Sequence, residues 1–149
     1  RWGTHATCSE VLEHVDEPEL LLANATEYLQ PGARVVITVP GGPRSAFDRH
    51  IGHRRHFTRR SLGQVLDVAG LRTERVLAAG FPFFNLYRLA VVARGQRLVD
   101  DVRTDADMSG NGASAVLGVF DKLFAANMTS TPLGWQMVAV ATVPPVRSD

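Results

Sequence analysis

A doubly wound α/β sheet is the fold that these 149 residues predict. Three observations point to it. Thr4 to Cys8, a helical stretch after Pro18 and the run Ala33 to Pro40 give the order strand, helix, strand. The run itself, "ARVVITVP", is β-branched and almost continuously apolar, as a strand buried on both faces of a parallel sheet would be. A second helix and strand then follow, and "GWQMVAVATV" near the end adds a last strand over Gly134 to Val143.

The elements are justified in order. Asp16 is placed to cap the first helix, Pro18 sits in its first turn and Glu19 completes a capping box. Leu21, Leu22, Ala25, Tyr28 and Leu29 recur at helical spacing, and Pro31-Gly32 is expected to end the helix. After the buried strand comes a long polar connection, Gly41 to Phe57. Thr58 caps a second helix, Arg59 to Ala69, whose apolar face is Leu62, Val65, Leu66 and Ala69; Gly70 stops it. Leu71 to Gly80 is expected as a strand and Phe81 to about Val102 as an amphipathic helix. Asp105 to Ala113 reads as a polar loop and Ala115 to Asn127 as a further helix. The tail "PPVRSD" is expected to fray. The opening strand leads at once into a charged motif, and a central strand needs a neighbour on each side. The expectation is therefore the later part of a larger domain.

Composition excludes several function classes. Apolar residues are 45% and charged residues 21%, the balance of a packed core rather than a disordered tail. A net charge of +1 argues neither for nor against nucleic acid, and the six arginines between Arg44 and Arg60 are offset by Asp48 and the facing glutamates, so nucleic acid is not the expected partner. The longest apolar stretch, Phe81 to Ala93, is broken by Asn85 and Arg88 and falls short of the ~20 residues that span a bilayer. One cysteine, Cys8, allows no internal disulfide and fits a reducing cytoplasm.

The chemistry concentrates in two places. "CSEVLEHV", Cys8 to Val15, packs Glu10, Glu13 and His14 beside Val11, Leu12 and Val15. On a helical turn the three titratable groups would share one face at i, i+3 and i+4, and the apolar three would turn to the core. "RHIGHRRHF" supplies His50, His53 and His56 among Arg49, Arg54 and Arg55. In a doubly wound sheet ligands sit at the carboxyl ends of the strands. Cys8-Ser9-Glu10 and Pro40-Gly41-Gly42 both fall there, so motif and loop are expected to face one crevice. One reading is a solvated rim, with acids near a helix start and Arg–Glu pairs closing the loop. The other is a site in which one loop histidine joins Glu10, Glu13 and His14. Two acids and two imidazoles form a mixed oxygen and nitrogen set suited to Mg²⁺ or Mn²⁺.

The residues also carry a resemblance. "CSEVLEHVDEPELLLANATEYLQPGARVVITVP" with "FDRHIGHRRHFTRRSLGQVLDVAGL" resembles class I S-adenosylmethionine-dependent methyltransferases through their fourth and fifth strands. It implies a Rossmann-like doubly wound sheet with its N-terminal strands missing and an antiparallel last strand. Residues 1–80 would be the C-terminal half of the core, 81–131 a helical insert or lid over the acceptor site, and 132–149 the final strand and tail. The family's glycine-rich loop on its first strand, and the acid after its second, are not in these residues; the only Gly-x-Gly is Gly110-Asn111-Gly112, with no strand before it.

The implied activity is methyl transfer from S-adenosylmethionine to a small-molecule acceptor, most simply a hydroxyl, with these residues as a fragment of the full enzyme. The alternative is a non-catalytic domain of the same fold that acts through partner binding. Cys8, Ser9 and Glu10 would line the cofactor, and His14 and His53 would be the proton acceptors. The motif Glu10-x-x-Glu13-His14 with a later His53 resembles the metal motif of small-RNA 2′-O-methyltransferases and the similar motif of ubiquinone-pathway O-methyltransferases. That resemblance implies Glu10, Glu13, His14 and His53 as ligands.

Overall fold

The structure is a computed structural model and describes residues 1–94 and 122–145. The chain opens on β1, Gly3–Ser9. A 3₁₀ turn over Leu12–His14 leads into α1, Pro18–Thr26, with Pro18 in its first turn where a missing N–H costs nothing. β2, Leu29–Pro40, follows, then a short α2, Ala46–His50. α3 spans Arg59–Val68, β3 Arg72–Ala79, α4 Phe83–Arg94 and β4 Gln136–Thr142.

Among the described residues four strands form one sheet, in the order β1-β2-β4-β3. β1 and β2 are parallel, while β4 runs antiparallel to both its neighbours. The last strand thus slots between two earlier ones, and the expected α/β sheet with an antiparallel last strand is what forms. α1 packs on β2, and α3 packs on β3 and β4. Beneath them lies a core that includes Leu12, Leu22, Ile37, Val39, Leu62, Leu66, Ala139 and Ala141. Fully burying a leucine such as Leu62 or Leu66 contributes about 1.5–3 kcal/mol.

Local chemistry explains most boundaries. Thr58 and Ser61 form a reciprocal capping box at the start of α3, and Gly70 takes φ +77 after its end, as its sequence predicts. Three details differ. α1 ends at Thr26, before Pro31-Gly32: the Thr26 hydroxyl closes the last turn on Ala23 O at 2.7 Å, and Leu29 is already buried and paired with Gly3. Asp16 does not cap α1; Glu17 holds that position without a side-chain bond, and Asp16 pairs instead with Arg54. Nor is "ARVVITVP" buried on both faces. Ala33, Val35, Ile37 and Val39 are buried, whereas Val36 and Thr38 are half-exposed and Arg34 is exposed, because α1 and α3 cover only one side.

The polar connection Gly41 to Phe57 holds an element that sequence reasoning missed. Ser45 and Asp48 build a capping box, which starts the five residues of α2. The expected helix from Phe81 is α4, and its continuation to Val102 lies outside the described residues, as does the loop Asp105 to Ala113. Of the helix expected over Ala115 to Asn127, residues 122–125 are described and helical. No helix among the described residues is long and apolar enough to cross a membrane.

Candidate functional site

Parallel pairing brings the carboxyl ends of β1 and β2 together. The antiparallel β4 brings its first residue, Gln136, to the same edge, opposite Pro40 and Ala79. Three strands therefore meet at Glu10. Its carboxylate can only accept, so Thr38 Oγ1 donates to Glu10 Oε1 at 3.1 Å and Ser9 Oγ donates in turn to Thr38 at 2.7 Å. Gln136 Nε2 donates to the same oxygen at 2.8 Å. Glu10 sits at φ +53, a left-handed conformation that a side chain rarely adopts. Its N–H bonds Thr38 O at 2.9 Å, which holds the backbone there. The Cys8 side chain faces away, among Leu21, Leu22 and Leu29 beside α1, and burial pushes its thiol up.

After Glu10 the chain does not form the expected helical face. The 3₁₀ turn points Leu12 and Glu13 inward, both fully buried, while Val11 and His14 are partly exposed. Glu13 and not Val11 goes to the interior, because the left-handed residue before the turn offsets the helical spacing. Neither Glu13 carboxylate oxygen has a hydrogen-bond partner. Desolvation is the main cause that lifts its pKa, and the nearby charge of Glu10 adds to it. The closest cationic candidate is His14, whose Nε2 is 4.0 Å from Glu13 Oε1.

The loop folds over this turn. Arg54 donates its N–H to Glu13 O at 2.7 Å and its Nε to His14 O at 2.9 Å, and its guanidinium also pairs with Asp16. His53 is thereby set against His14, with ring centroids 4.7 Å apart and perpendicular. His53 Nδ1 lies 3.3 Å from His56 Nε2, and His56 Nδ1 lies 3.1 Å from Gly42 O. Burial pushes both imidazoles below their usual range, which keeps them neutral at pH 7.

Behind the histidines is Asp48, fully buried. Arg88 of α4 grips it with two hydrogen bonds, 2.9 Å to Oδ1 and 2.7 Å to Oδ2. Ser45 adds its N–H at 2.6 Å and its hydroxyl at 2.7 Å. Burial opposes ionisation here, but the Arg88 and Ser45 bonds outweigh it and hold the carboxyl well below the usual range.

Among the described residues, two groups could receive a metal ion on distance alone. Ligand atoms of Glu13, His14 and His53 lie within 4.8 Å of one another, as do those of Asp48, His53 and His56. Asp48 is already neutralised by Arg88, so the second group has no charge left for a cation. The first fits, because its carboxylate is buried, unpartnered and flanked by two imidazoles. The structure brings together three of the four expected ligands; Glu10 is bonded to Thr38 and Gln136 instead. Sequence reasoning missed Asp48 and Arg88. The available signals were Ser45-x-x-Asp48 as a helix cap and a lone arginine in the apolar stretch of α4, which needs a buried acid to face.

Residues 4–76 match the family model described as a methyltransferase domain. No curated protein sequence matches the chain. Among solved structures, the chain is similar to phosphoethanolamine N-methyltransferase 2 of Haemonchus contortus, with 17% identity and TM-score 0.48 over 95% of this chain and 34% of that one. It is similar to a candidate methyltransferase of Bacillus halodurans C-125 with 14% identity and TM-score 0.51, over 95% of this chain and 64% of that one. A third is the [4+2]-cyclase SpnF, with 17% identity and TM-score 0.52, over 95% of this chain and 49% of that one. The chain thus spans between a third and two thirds of the length of these structures. At such identities the likeness speaks for the fold, and the cyclase among the neighbours is a reminder that the fold alone does not choose the reaction.

Proposed function

We propose that this chain, which belongs to the class I S-adenosylmethionine-dependent methyltransferases, forms the acceptor-facing part of a site that moves the sulfonium methyl to a hydroxyl of a small molecule. The observation that carries the reading is the convergence of the β1, β2 and β4 ends on Glu10, beside the buried Glu13, His14 and His53, within a region matching the methyltransferase domain. The backbone of Cys8, Ser9 and Glu10 lines the cofactor. The segment 81–131 serves as the acceptor-side insert.

Methyl transfer is an in-line displacement, and the donor carbon is already activated. The protein has to align the acceptor, exclude water and take a proton from the acceptor hydroxyl. His53 suits the proton transfer, because its side chain is 9% exposed and burial keeps it neutral, so its lone pair is available at pH 7. His14, with a half-exposed ring at the mouth, is the second candidate. Where a divalent ion does this work instead of a histidine base, Glu13, His14 and His53 would hold it with those lone pairs, and two imidazoles favour Mn²⁺ over Mg²⁺. Such an ion would supply a lowered pKa to a bound hydroxyl.

Titrating the ¹⁵N-labelled chain with S-adenosylmethionine tests the reading. The expected result is weak, non-saturating binding with amide shifts at Cys8, Ser9 and Glu10, because no glycine-rich strand-end loop is present in these residues. Tight calorimetric binding would show that this loop is dispensable. Shifts confined to other segments would remove these three residues from the cofactor surface.

A further inference from the structure

The hydrogen-bond chain behind His53 determines which of its nitrogens can act. A backbone carbonyl only accepts. The 3.1 Å contact from His56 Nδ1 to Gly42 O therefore puts a proton on His56 Nδ1. A neutral imidazole carries one N–H, so His56 Nε2 is a lone pair. His53 Nδ1 stands 3.3 Å from that lone pair and must be the donor. The one nitrogen of His53 left with a lone pair is then Nε2. The reverse order would need both nitrogens of His56 protonated, a cation in a side chain only 6% exposed.

Asp48 does not compete for these protons. Its oxygens are 3.7 Å from His53 Nδ1 and 3.9 Å from His56 Nε2, beyond good hydrogen-bond reach, and they are occupied by Arg88 and Ser45. Its main-chain oxygen instead accepts the His53 N–H at 2.8 Å, which fixes where that residue starts. Gly42 anchors the other end. It sits at φ +70, and a Cβ there would come within 2.6 Å of the Trp135 ring, so the carbonyl direction depends on glycine.

We propose that His56 is a positioning residue: it transmits the polarity of the Gly42 carbonyl to His53, locks His53 as the Nδ1–H tautomer and leaves Nε2 as the working nitrogen. The consequence for methyl transfer or cation binding rests on the function proposed above; the tautomer itself does not. The role needs no contact between His56 and any ligand.

Two-bond ¹H–¹⁵N correlation spectra of the histidine-labelled chain at neutral pH, with no metal, donor or acceptor added, read the tautomers directly. The wild-type chain is expected to show His53 with a protonated Nδ1 and an unprotonated Nε2. His56→Gln, whose amide can donate at one atom and accept at the other, is expected to keep that pattern. His56→Leu is expected to shift His53 toward the Nε2–H form. A wild-type His53 protonated at Nε2 overturns the proposal without any variant, and so does an unchanged His53 in a folded His56→Leu protein. Because no ligand is present, failure of the methyl-transfer reading would leave these spectra as they are.

Discussion

Asp48 and Glu13 are both carboxylates at 0% exposure, yet their surroundings are opposite. Asp48 receives four hydrogen bonds from Arg88 and Ser45, while Glu13 receives none at either oxygen. The pKa of the first is driven down and that of the second up. Burial therefore says little about an acid until its partners are counted. Asp48 is satisfied within the fold and ties α2 to α4. Glu13 costs the fold free energy and is placed to receive a proton or a cation.

The comparison breaks most visibly at Arg88. Arg88→Met leaves Asp48 buried and unpaired, and urea unfolding should register a loss of about 3–5 kcal/mol. Asp48→Asn in the same background should recover much of it. The pH dependence follows from the sign of the shift. Asp48 has a depressed folded pKa, so its stabilisation is complete above the unfolded value of about 3.9 and is lost as pH falls below it. Arg88→Met should flatten that acid limb. A loss under about 1 kcal/mol would mean that Asp48 behaves like an exposed acid.

At Glu13 the expected effect is smaller and opposite in sign. Glu13→Met removes an unpartnered buried carboxylate and keeps most of its volume, so stability at neutral pH should rise by about 1–3 kcal/mol. A raised folded pKa means that the wild-type penalty appears above the unfolded value of about 4.3 and grows as pH rises toward the folded one. The gain in the variant should accordingly shrink at acidic pH. Mn²⁺ should raise the unfolding midpoint of the wild type and not that of the variant. A destabilised Glu13→Met would mean that the carboxylate has a partner and that the contrast with Asp48 is false.

This contrast also marks how far the sequence was legible. The sheet was readable because its signals are local: β-branched runs for β2 and β4, a cap and a glycine stop for α3. The crevice was readable as a place, since strand ends converge by topology. The orientation of "CSEVLEHV" was not, because one left-handed residue, Glu10, offsets the helical spacing on which the face assignment depended. Asp48 and Arg88 are 40 residues apart and meet only through tertiary packing. Nothing in the sequence set His56 apart from the other loop histidines, because its value lies in a 3.1 Å contact with a backbone carbonyl, which no side-chain pattern encodes.

Asp16 supplies the smallest test and the third case. It faces the same arginine loop, but its side chain is 71% exposed and that of Arg54 53%. A pair in that setting is screened by water, and Asp16→Ala should cost under about 1 kcal/mol in urea unfolding. The cost should fade in ~1 M salt, where the Debye length is ~3 Å. Arg54 keeps its bond from Nε to His14 O after that change, so His14 should stay in place beside His53. A larger, salt-resistant loss would reverse the ranking. It would mean that Asp16 aims Arg54 at the turn, and that the orientation of His14 depends on a surface acid as well as on the buried ones.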